Sequence, residues 1–206
     1  NDTVTGGTGG DLIIGDGALR IDRITGLARI EALNSAGTDT ITLGAGAGIV
    51  FGDQAVSANM AAWNGALPAT LSTAGVGAVD RITAGSGRNI LVGGGAADQI
   101  IATSTGAGSM IFGDGAELTL TGGLGQIQAS RTLAQTGGAG DTITLGASGA
   151  IVFGGEGADT ITATGGNNRI FGDFGHAVVV NNQLDGLTSL SGVGGGNDTI
   201  TTGGGN

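Results

Sequence analysis

The sequence predicts an all-β protein: a right-handed parallel β-solenoid of about six to seven coils, with four β-hairpin-like insertions. Three observations support this prediction. Large apolar residues recur every nine residues, glycine supplies 47 of the 206 residues, and an aspartate often stands two positions before the apolar residue. Glycine permits tight turns that other residues cannot make, and a short run centred on an apolar side chain is typical of a strand.

The nine-residue period sorts the strands into two alternating series, because two periods complete one coil of about 18 residues and successive coils stack about 4.8 Å apart. We name the first series side A, with inward residues at Val4, Ile41, Ile82, Ile100, Ile143, Ile161 and Ile200. We name the second series side B, with inward residues at Ile13, Val50, Leu91, Ile111, Val152 and Ile170.

Longer segments interrupt the period, and each opens with Gly-Asp after a side-B strand. We predict insertions at 15–37, 52–78, 113–139 and 172–196, within a single domain that spans 1–206. Alternating apolar and polar residues in 18–33 and 116–129 are typical of β-hairpins, the second turning at Gly122-Gly123. The side-B strands are apolar on both faces, so we expect the hairpins, or a neighbouring molecule, to cover their outer face.

The position two residues before each inward side chain differs between the two sides. Side A has an unbroken column of aspartates, which makes one edge acidic: Asp2, Asp39, Asp80, Asp98, Asp141, Asp159 and Asp198. Side B begins with Asp11 and continues with mostly neutral residues, among which Asn89 and Asn168 are expected to close turns in the left-handed conformation. Neighbouring carboxylates about 4.8 Å apart repel by about 1 kcal/mol even in water, so the column requires a cation.

Calcium (Ca2+) is the predicted cofactor, because it takes six to eight oxygen ligands and tolerates irregular geometry. The predicted ligands are the side-A column, Asp11, and the four aspartates that open the insertions, Asp16, Asp53, Asp114 and Asp173. The alternative is that these aspartates cap turns by accepting hydrogen bonds from backbone amides, and for the four insertion aspartates both interpretations stay open. Because the turns are charged and rich in glycine, calcium binding should be coupled to folding.

The composition excludes several classes of protein. Seventeen acidic residues against seven arginines give a net charge of −10, which disfavours nucleic-acid binding. No apolar run of about 18 residues is present, so we expect no membrane insertion. There is no cysteine for disulfides or thiolate metal sites. Without a recognisable signal peptide or initiator methionine, we expect the chain to be a piece of a longer protein or a processed subunit.

The segments GGTGGDLII (6–14) and GGEGADTIT (154–162), with the Gly-Asp junctions, carry a family resemblance. The chain resembles the calcium-binding RTX repeat regions of secreted bacterial proteins, and more closely very large surface proteins whose nonapeptide blocks alternate with Gly-Asp insertions. This resemblance implies a β-roll, export to a calcium-rich exterior at the bacterial cell surface, and a structural or adhesive role. The chain departs from the pattern at Ala96, where the repeat has glycine.

We therefore expect a non-enzymatic building block of an extracellular bacterial surface or biofilm-matrix fibre, whose copies associate head-to-tail or side by side. The alternatives are an ice- or surface-binding adhesin module that uses outward threonines such as Thr160 and Thr162, and an S-layer-like component. Catalysis is disfavoured, because the single histidine, His176, accompanies no nucleophile motif. Met60 and Trp63 are expected to pack beneath their own hairpin or to form an intermolecular contact.

Overall fold

The computed structural model describes residues 1–21, 24, 28–33, 35–57, 70–120, 127–133, 137–181, 183–191 and 194–205. These residues form strands, turns and irregular connections, and no helix occurs among them, which confirms the all-β class. Consequently none of the described segments contains a helix long and apolar enough to cross a membrane.

Twenty strands occur in the described part of the chain. In chain order they are β1 Thr3–Thr5, β2 Asp11–Asp16, β3 Ala18–Ile21, β4 Ala28–Glu31, β5 Thr40–Thr42, β6 Gly48–Val56, β7 Thr70–Thr73, β8 Arg81–Thr83, β9 Ile90–Val92, β10 Gln99–Ala102, β11 Met110–Phe112, β12 Ala116–Leu120, β13 Ile127–Thr132, β14 Thr142–Leu145, β15 Ile151–Phe153, β16 Thr160–Gly165, β17 Arg169–Phe171, β18 Gly175–Val180, β19 Gln183–Ser189 and β20 Thr199–Gly204.

The side-A strands form one parallel sheet of seven strands in the order β1-β5-β8-β10-β14-β16-β20. Their inward residues pair in register from rung to rung, from Val4 opposite Ile41 to Ile161 opposite Ile200. Strands adjacent in the sheet are distant in sequence because a side-B strand lies between each pair. The nine-residue period therefore predicted both the membership and the register of this sheet.

The side-B strands pair in parallel in the order β2-β6-β9-β11-β15-β17, again with their inward residues in register. Inward side chains of the two sides meet in one core, where Ile41, Val50, Ile82 and Leu91 have no exposed surface. This core explains the period, since each strand contributes one inward side chain between two neighbours above and below.

The sheet that contains side B is mixed, which the sequence did not predict. Strand β6 continues beyond its side-B portion and pairs antiparallel with β7, and the sheet then extends through β12, β13, β18 and β19. Within the insertions, β3 pairs antiparallel with β4, β12 with β13, and β18 with β19, as the alternation predicted. Gly122 and Gly123, the predicted turn, lie outside the described residues.

Five strands from the last three insertions form what we call the covering sheet: β7, β12, β13, β18 and β19. It packs on the outward face of side B in a second core that includes Phe51, Leu71 and Leu118. Phe153 stacks between Phe112 and Phe171, with ring centroids 5.3 Å apart in both pairs. The chain's own strands thus bury this face. Met60 and Trp63, for which a packing role was expected, lie outside the described residues.

Successive insertions are joined by a repeated hydrogen-bonding arrangement. The backbone N–H of Ala116 donates to Thr73 Oγ1 (2.9 Å), and the backbone N–H of Gly175 donates to Thr132 Oγ1 (3.0 Å). In return, the Thr73 hydroxyl donates to the carbonyl oxygen of Ala116, and the Thr132 hydroxyl donates to the carbonyl oxygen of Gly175. A buried threonine thus links one insertion to the next at both places, and the separation in sequence is 43 residues each time.

Candidate metal centre

The side-A aspartates form a buried column inside the turns. Asp39, Asp80, Asp98, Asp141 and Asp159 are each no more than 2% exposed, whereas Asp2 is exposed and Asp198 is half-buried at the terminal rungs. The sequence predicted that these carboxylates form one acidic edge. The structure brings all seven into one line, with the five inner members buried in the fold.

One oxygen of each carboxylate joins neighbouring rungs. Oδ1 of each aspartate accepts the backbone N–H of the aspartate in the preceding rung, beginning with Asp39 Oδ1 and the N–H of Asp2 (2.6 Å). The same bond recurs along the column at 2.7–3.0 Å, ending at Asp198 Oδ1. Each carboxylate thus caps a backbone amide, as the capping interpretation expects, but this amide belongs to the preceding coil and not to its own turn.

The second oxygen is buried without a hydrogen-bond partner. This holds for Oδ2 of the five buried members of the column, Asp39, Asp80, Asp98, Asp141 and Asp159. A buried, unpaired carboxylate oxygen is costly, and a series of five stacked in one line indicates that an additional group completes the site.

The glycine that follows each side-B strand gives Oδ2 its space. At six such glycines an added Cβ would overlap Oδ2 of the column aspartate: Gly15, Gly52, Gly93, Gly113, Gly154 and Gly172. At Gly113, for example, the Cβ would collide with both Asp141 Oδ2 and the carbonyl oxygen of Gly154. Sequence reasoning attributed these glycines to turn conformation alone. Their fixed distance from each aspartate in the uninterrupted nonapeptides was the signal for this second role.

Burial controls the protonation of the column. It raises the pKa of Asp80 and Asp159 to about 7, of Asp98 to about 9 and of Asp141 to about 10, and it also raises the pKa of Asp39. Repulsion from neighbouring carboxylates adds to the effect of burial. At neutral pH the buried carboxylates of the column therefore need a compensating positive charge, which either protons or a cation can supply.

The side-B column has the same backbone pattern with neutral side chains. Asn89 Oδ1 accepts the N–H of Gly48 (2.9 Å), as an aspartate Oδ1 does on side A. Its Nδ2 donates to the carbonyl oxygens of Gly85 (3.0 Å) and Gly87 (2.8 Å) in its own turn. Asn168 repeats this arrangement, donating from Nδ2 to a turn carbonyl.

The expectation that Asn89 and Asn168 adopt the left-handed conformation is wrong, because among the described residues other than glycine only Ala96 and Asn181 have positive φ. They close their turns through the side-chain amide instead. On side A an aspartate oxygen occupies the place of this amide nitrogen. This oxygen is an acceptor without a hydrogen-bond partner, so a cation can take the role of the missing N–H groups.

The aspartates that open the second and first insertions act as backbone clamps. Asp53 accepts the N–H of Ala78 at Oδ1 (2.9 Å) and the N–H of Gly95 at Oδ2 (2.7 Å), which ties the end of its insertion to the next turn. Asp16 accepts the N–H of Gly37 (2.6 Å), at the end of the first insertion. Burial raises the pKa of Asp53 to about 6. These contacts favour turn formation over metal ligation at both positions.

The other two insertion aspartates differ from each other. Asp114 is buried, accepts the N–H of Glu156 at Oδ2, and has a buried Oδ1. Burial raises its pKa to about 8. Asp173 is exposed and lies against Gly195. Asp11 on side B, also half-exposed, accepts the N–H of Gly7 within its own turn (3.1 Å), as the capping alternative expects.

The donor set fits calcium better than a metal held by a side-chain cage. In the part of the chain that the structure describes, no three His, Cys, Asp or Glu side chains converge as a cluster for a metal ion. The column instead presents single carboxylates, one per rung, beside turns rich in carbonyl oxygens. Calcium accepts such all-oxygen surroundings and mixes carboxylate with carbonyl ligands.

The comparisons with known proteins agree with this chemistry. A family model described as the RTX calcium-binding nonapeptide repeat matches four copies, in residues 75–104, 145–179 and 193–206. No curated protein and no solved structure matches the chain. RTX nonapeptide repeats bind calcium ions, occur in secreted bacterial proteins and are generally non-enzymatic in the repeat region. The chain thus carries four copies of the RTX calcium-binding nonapeptide repeat within residues 75–206.

Proposed function

We propose that this chain is a non-enzymatic, calcium-stabilised module of an extracellular bacterial fibre. In this proposal the two parallel arrays form a right-handed solenoid of about six to seven coils, and segments 15–37, 52–78, 113–139 and 172–196 are hairpin insertions into one domain. The observation that carries the proposal is the column of five buried aspartates, each with an oxygen that lacks a partner.

We assign the calcium ligands first to the side-A column. Asp39, Asp80, Asp98, Asp141 and Asp159 would bind through Oδ2, and Asp2 and Asp198 would complete the terminal rungs. Asp114, whose Oδ1 is buried, is a further candidate. Asp11, Asp16, Asp53 and Asp173 are assigned to turns, because hydrogen bonds to backbone amides at the first three, and exposure at the last, give no buried free oxygen.

The role of calcium in this proposal is to hold stacked coils together. Bound calcium supplies the positive charge that lets buried carboxylates ionise. The chain's own contribution is to pin Oδ1 of each aspartate to the neighbouring coil, which leaves Oδ2 fixed in direction. Since the ordered turns are also the site, metal binding and folding should occur together.

Calcium titration of the wild type and of Asp141→Asn tests this assignment. We expect calcium to strengthen the β signal in circular dichroism and to raise the melting temperature, chelator to reverse both effects, and Asp141→Asn to bind fewer calcium ions by equilibrium dialysis. Asp185→Asn, on exposed β19, is the matched control and should bind as the wild type does. An equal stoichiometry for wild type and Asp141→Asn would refute the role of the column.

Self-association is the part of the proposal that concerns assembly. Strands β1 and β20 are the edges of the side-A sheet, and every residue of β20 is exposed. An unpaired strand edge favours pairing with another chain, and head-to-tail contacts that do not close generate filaments. Electron microscopy with and without calcium separates the outcomes: filaments support the fibre, a planar lattice supports an S-layer-like component, and isolated particles contradict both.

A surface-binding module is the second candidate, and the outer face of side A favours it. Its strands present threonines in two in-register columns, Thr3, Thr40, Thr142, Thr160 and Thr199 in one, and Thr5, Thr42, Thr83, Thr144, Thr162 and Thr201 in the other. Arg81, Gln99 and Ile101 interrupt them. A regular array of hydroxyl and methyl groups suits an ordered surface such as ice. Thermal hysteresis of the folded, calcium-loaded protein tests this, and its absence would remove ice as the ligand.

A further inference from the structure

Two arginines line one cavity on the side-B edge, away from the aspartate column. The cavity has a volume of about 330 Å³ and lies between the turns that precede β11 and β15 and the hairpin formed by β18 and β19. Arg88 lines it from the turn before β9, and Arg169 lines it from β17. Its volume corresponds to roughly ten water molecules, which is the size of a small organic ligand.

These arginines differ in their partners from three of the others, although Arg81 also lacks a carboxylate partner among the described residues and donates instead to Gln99 Oε1 (2.8 Å). Arg20, Arg29 and Arg131 form ion pairs with glutamates. Within the described ranges, neither Arg88 nor Arg169 has a carboxylate within ion-pair distance. Two guanidinium groups without counter-ions therefore border the same cavity, in a chain whose net charge is −10.

Arg88 is held in place before any ligand binds. Its Nε donates to the carbonyl oxygen of Gly108 at 2.9 Å. Gly108 has a φ of +75°, a conformation that favours glycine in the turn that presents this carbonyl oxygen. Burial lowers the pKa of Arg88, consistent with a desolvated cation that lacks an anionic partner. A guanidinium with a fixed orientation loses little entropy when it binds an anion.

The rest of the cavity is partly apolar. Met110, Val179 and Leu184 contribute hydrocarbon surface, and Ser148 contributes a hydroxyl group. Binding sites for small molecules commonly combine an apolar wall with a few polar groups that fix orientation. An anion alone would leave this apolar wall unused, and an apolar molecule alone would leave both guanidinium groups without a partner.

We propose that this cavity binds a small organic carboxylate, with its carboxylate group on Arg88 and Arg169 and its hydrocarbon part against Met110, Val179 and Leu184. Arginine matches the planar carboxylate with paired N–H donors, which makes such contacts both strong and directional. The site adds a ligand-binding activity to the structural role and does not depend on the aspartate column for its ligands.

Binding of hexanoate to the calcium-loaded full chain tests the proposal, using ¹⁵N chemical shifts and calorimetry. We expect saturable binding with shifts concentrated at Gly108 and Gly149. Hexanol, which has the same hydrocarbon part without the charge, should bind about tenfold more weakly or worse, because hydrogen bonds to charged groups are lost. Inorganic phosphate should compete poorly, since it cannot use the apolar wall.

Charge-removing variants complete the test. Arg88→Gln and Arg169→Gln should each raise the Kd for hexanoate about tenfold or more. Arg81→Gln is the control: it removes one positive charge, as the other two variants do, but from the opposite sheet, so it should leave the Kd for hexanoate unchanged. Because Arg169 is exposed, its variant should fold even if Arg88→Gln does not. Hexanoate that fails to saturate, binds no better than hexanol or phosphate, or binds equally to Arg169→Gln would overturn the proposal.

Discussion

At the scale of single residues, the asparagines of side B differ from the column aspartates of side A by one nitrogen in place of one oxygen. Asn89 and the column aspartates each accept a backbone N–H from the equivalent position in the neighbouring coil. The remaining atom donates to turn carbonyls in Asn89, whereas in the aspartates it is a buried acceptor. Side B is therefore complete with protein atoms alone, and side A requires a proton or a cation.

This comparison predicts that Asp98→Asn stabilises the metal-free protein. The asparagine retains the Oδ1 acceptor for the N–H of Asp80 and replaces the unpaired oxygen with a donor. At pH 8 the metal-free fold must keep the Asp98 carboxyl protonated, since burial raises its pKa to about 9, and removing that cost should raise the free energy of unfolding in chelator by about 1–3 kcal/mol. Thermal melting in chelator measures it. In saturating calcium the same variant should lose stability relative to wild type, and a change of equal sign under both conditions would contradict the argument.

Ala96 provides a second prediction at this scale. It has a φ of +68°, and Gly157, its counterpart in the later repeat GGEGAD, has a φ of +92°. A left-handed backbone destabilises alanine by about 1–2 kcal/mol. Glycine avoids this strain, but its more flexible unfolded state costs about 0.5–1 kcal/mol. Ala96→Gly should therefore stabilise the protein by about 0.5–1 kcal/mol in chemical denaturation. Ala97→Gly, beside it and without positive φ, should destabilise it.

At the scale of elements, the turn and the strand after it act as one unit, because the aspartate of one turn fills the space beside the glycine of another. Gly113→Ala should destabilise the fold by about 3 kcal/mol or prevent folding, since the new methyl group would overlap Asp141 Oδ2 and the carbonyl oxygen of Gly154. Gly9→Ala is the control, because no atom lies within 4 Å of its added Cβ. Denaturant unfolding in calcium compares the two variants, and equal midpoints would show that the overlap is easily relieved.

At the scale of the whole molecule, the column should set the response to pH. The folded pKa values of Asp80, Asp98 and Asp141, about 7, 9 and 10, lie above the ordinary value of 3.8. Their contribution to metal-free stability is therefore fully present below about pH 4 and is lost as pH rises through the folded pKa values. In chelator the melting temperature should fall between pH 5 and about pH 9. Calcium favours the ionised form, so it should flatten or reverse this slope, and a metal-free protein that gains stability with rising pH would contradict the raised pKa values.

How far the fold was predictable depends on which residues carry the repeat. The period placed Val4, Ile13 and their successors in two sheets with the correct register, because one slip would expose every inward side chain. The sequence predicted that hairpins cover side B, but it did not predict that successive insertions pair into one sheet, because those pairings lie outside the nine-residue period. The aspartate column was located correctly in sequence, but its burial depends on glycines such as Gly15 and Gly52, whose contacts arise only when the coils stack.

The threonine links at Thr73 and Thr132 have a consequence for how such a protein could lengthen during evolution. The insertion at 113–139 brings both the Thr132 hydroxyl for its successor and the Ala116 N–H for its predecessor, at equal sequence separation. Duplication of one such block, coils and insertion together, would add a segment whose joints match on both sides. Growth by whole blocks would then conserve every existing junction, whereas loss of a partial block would leave one joint without its counterpart.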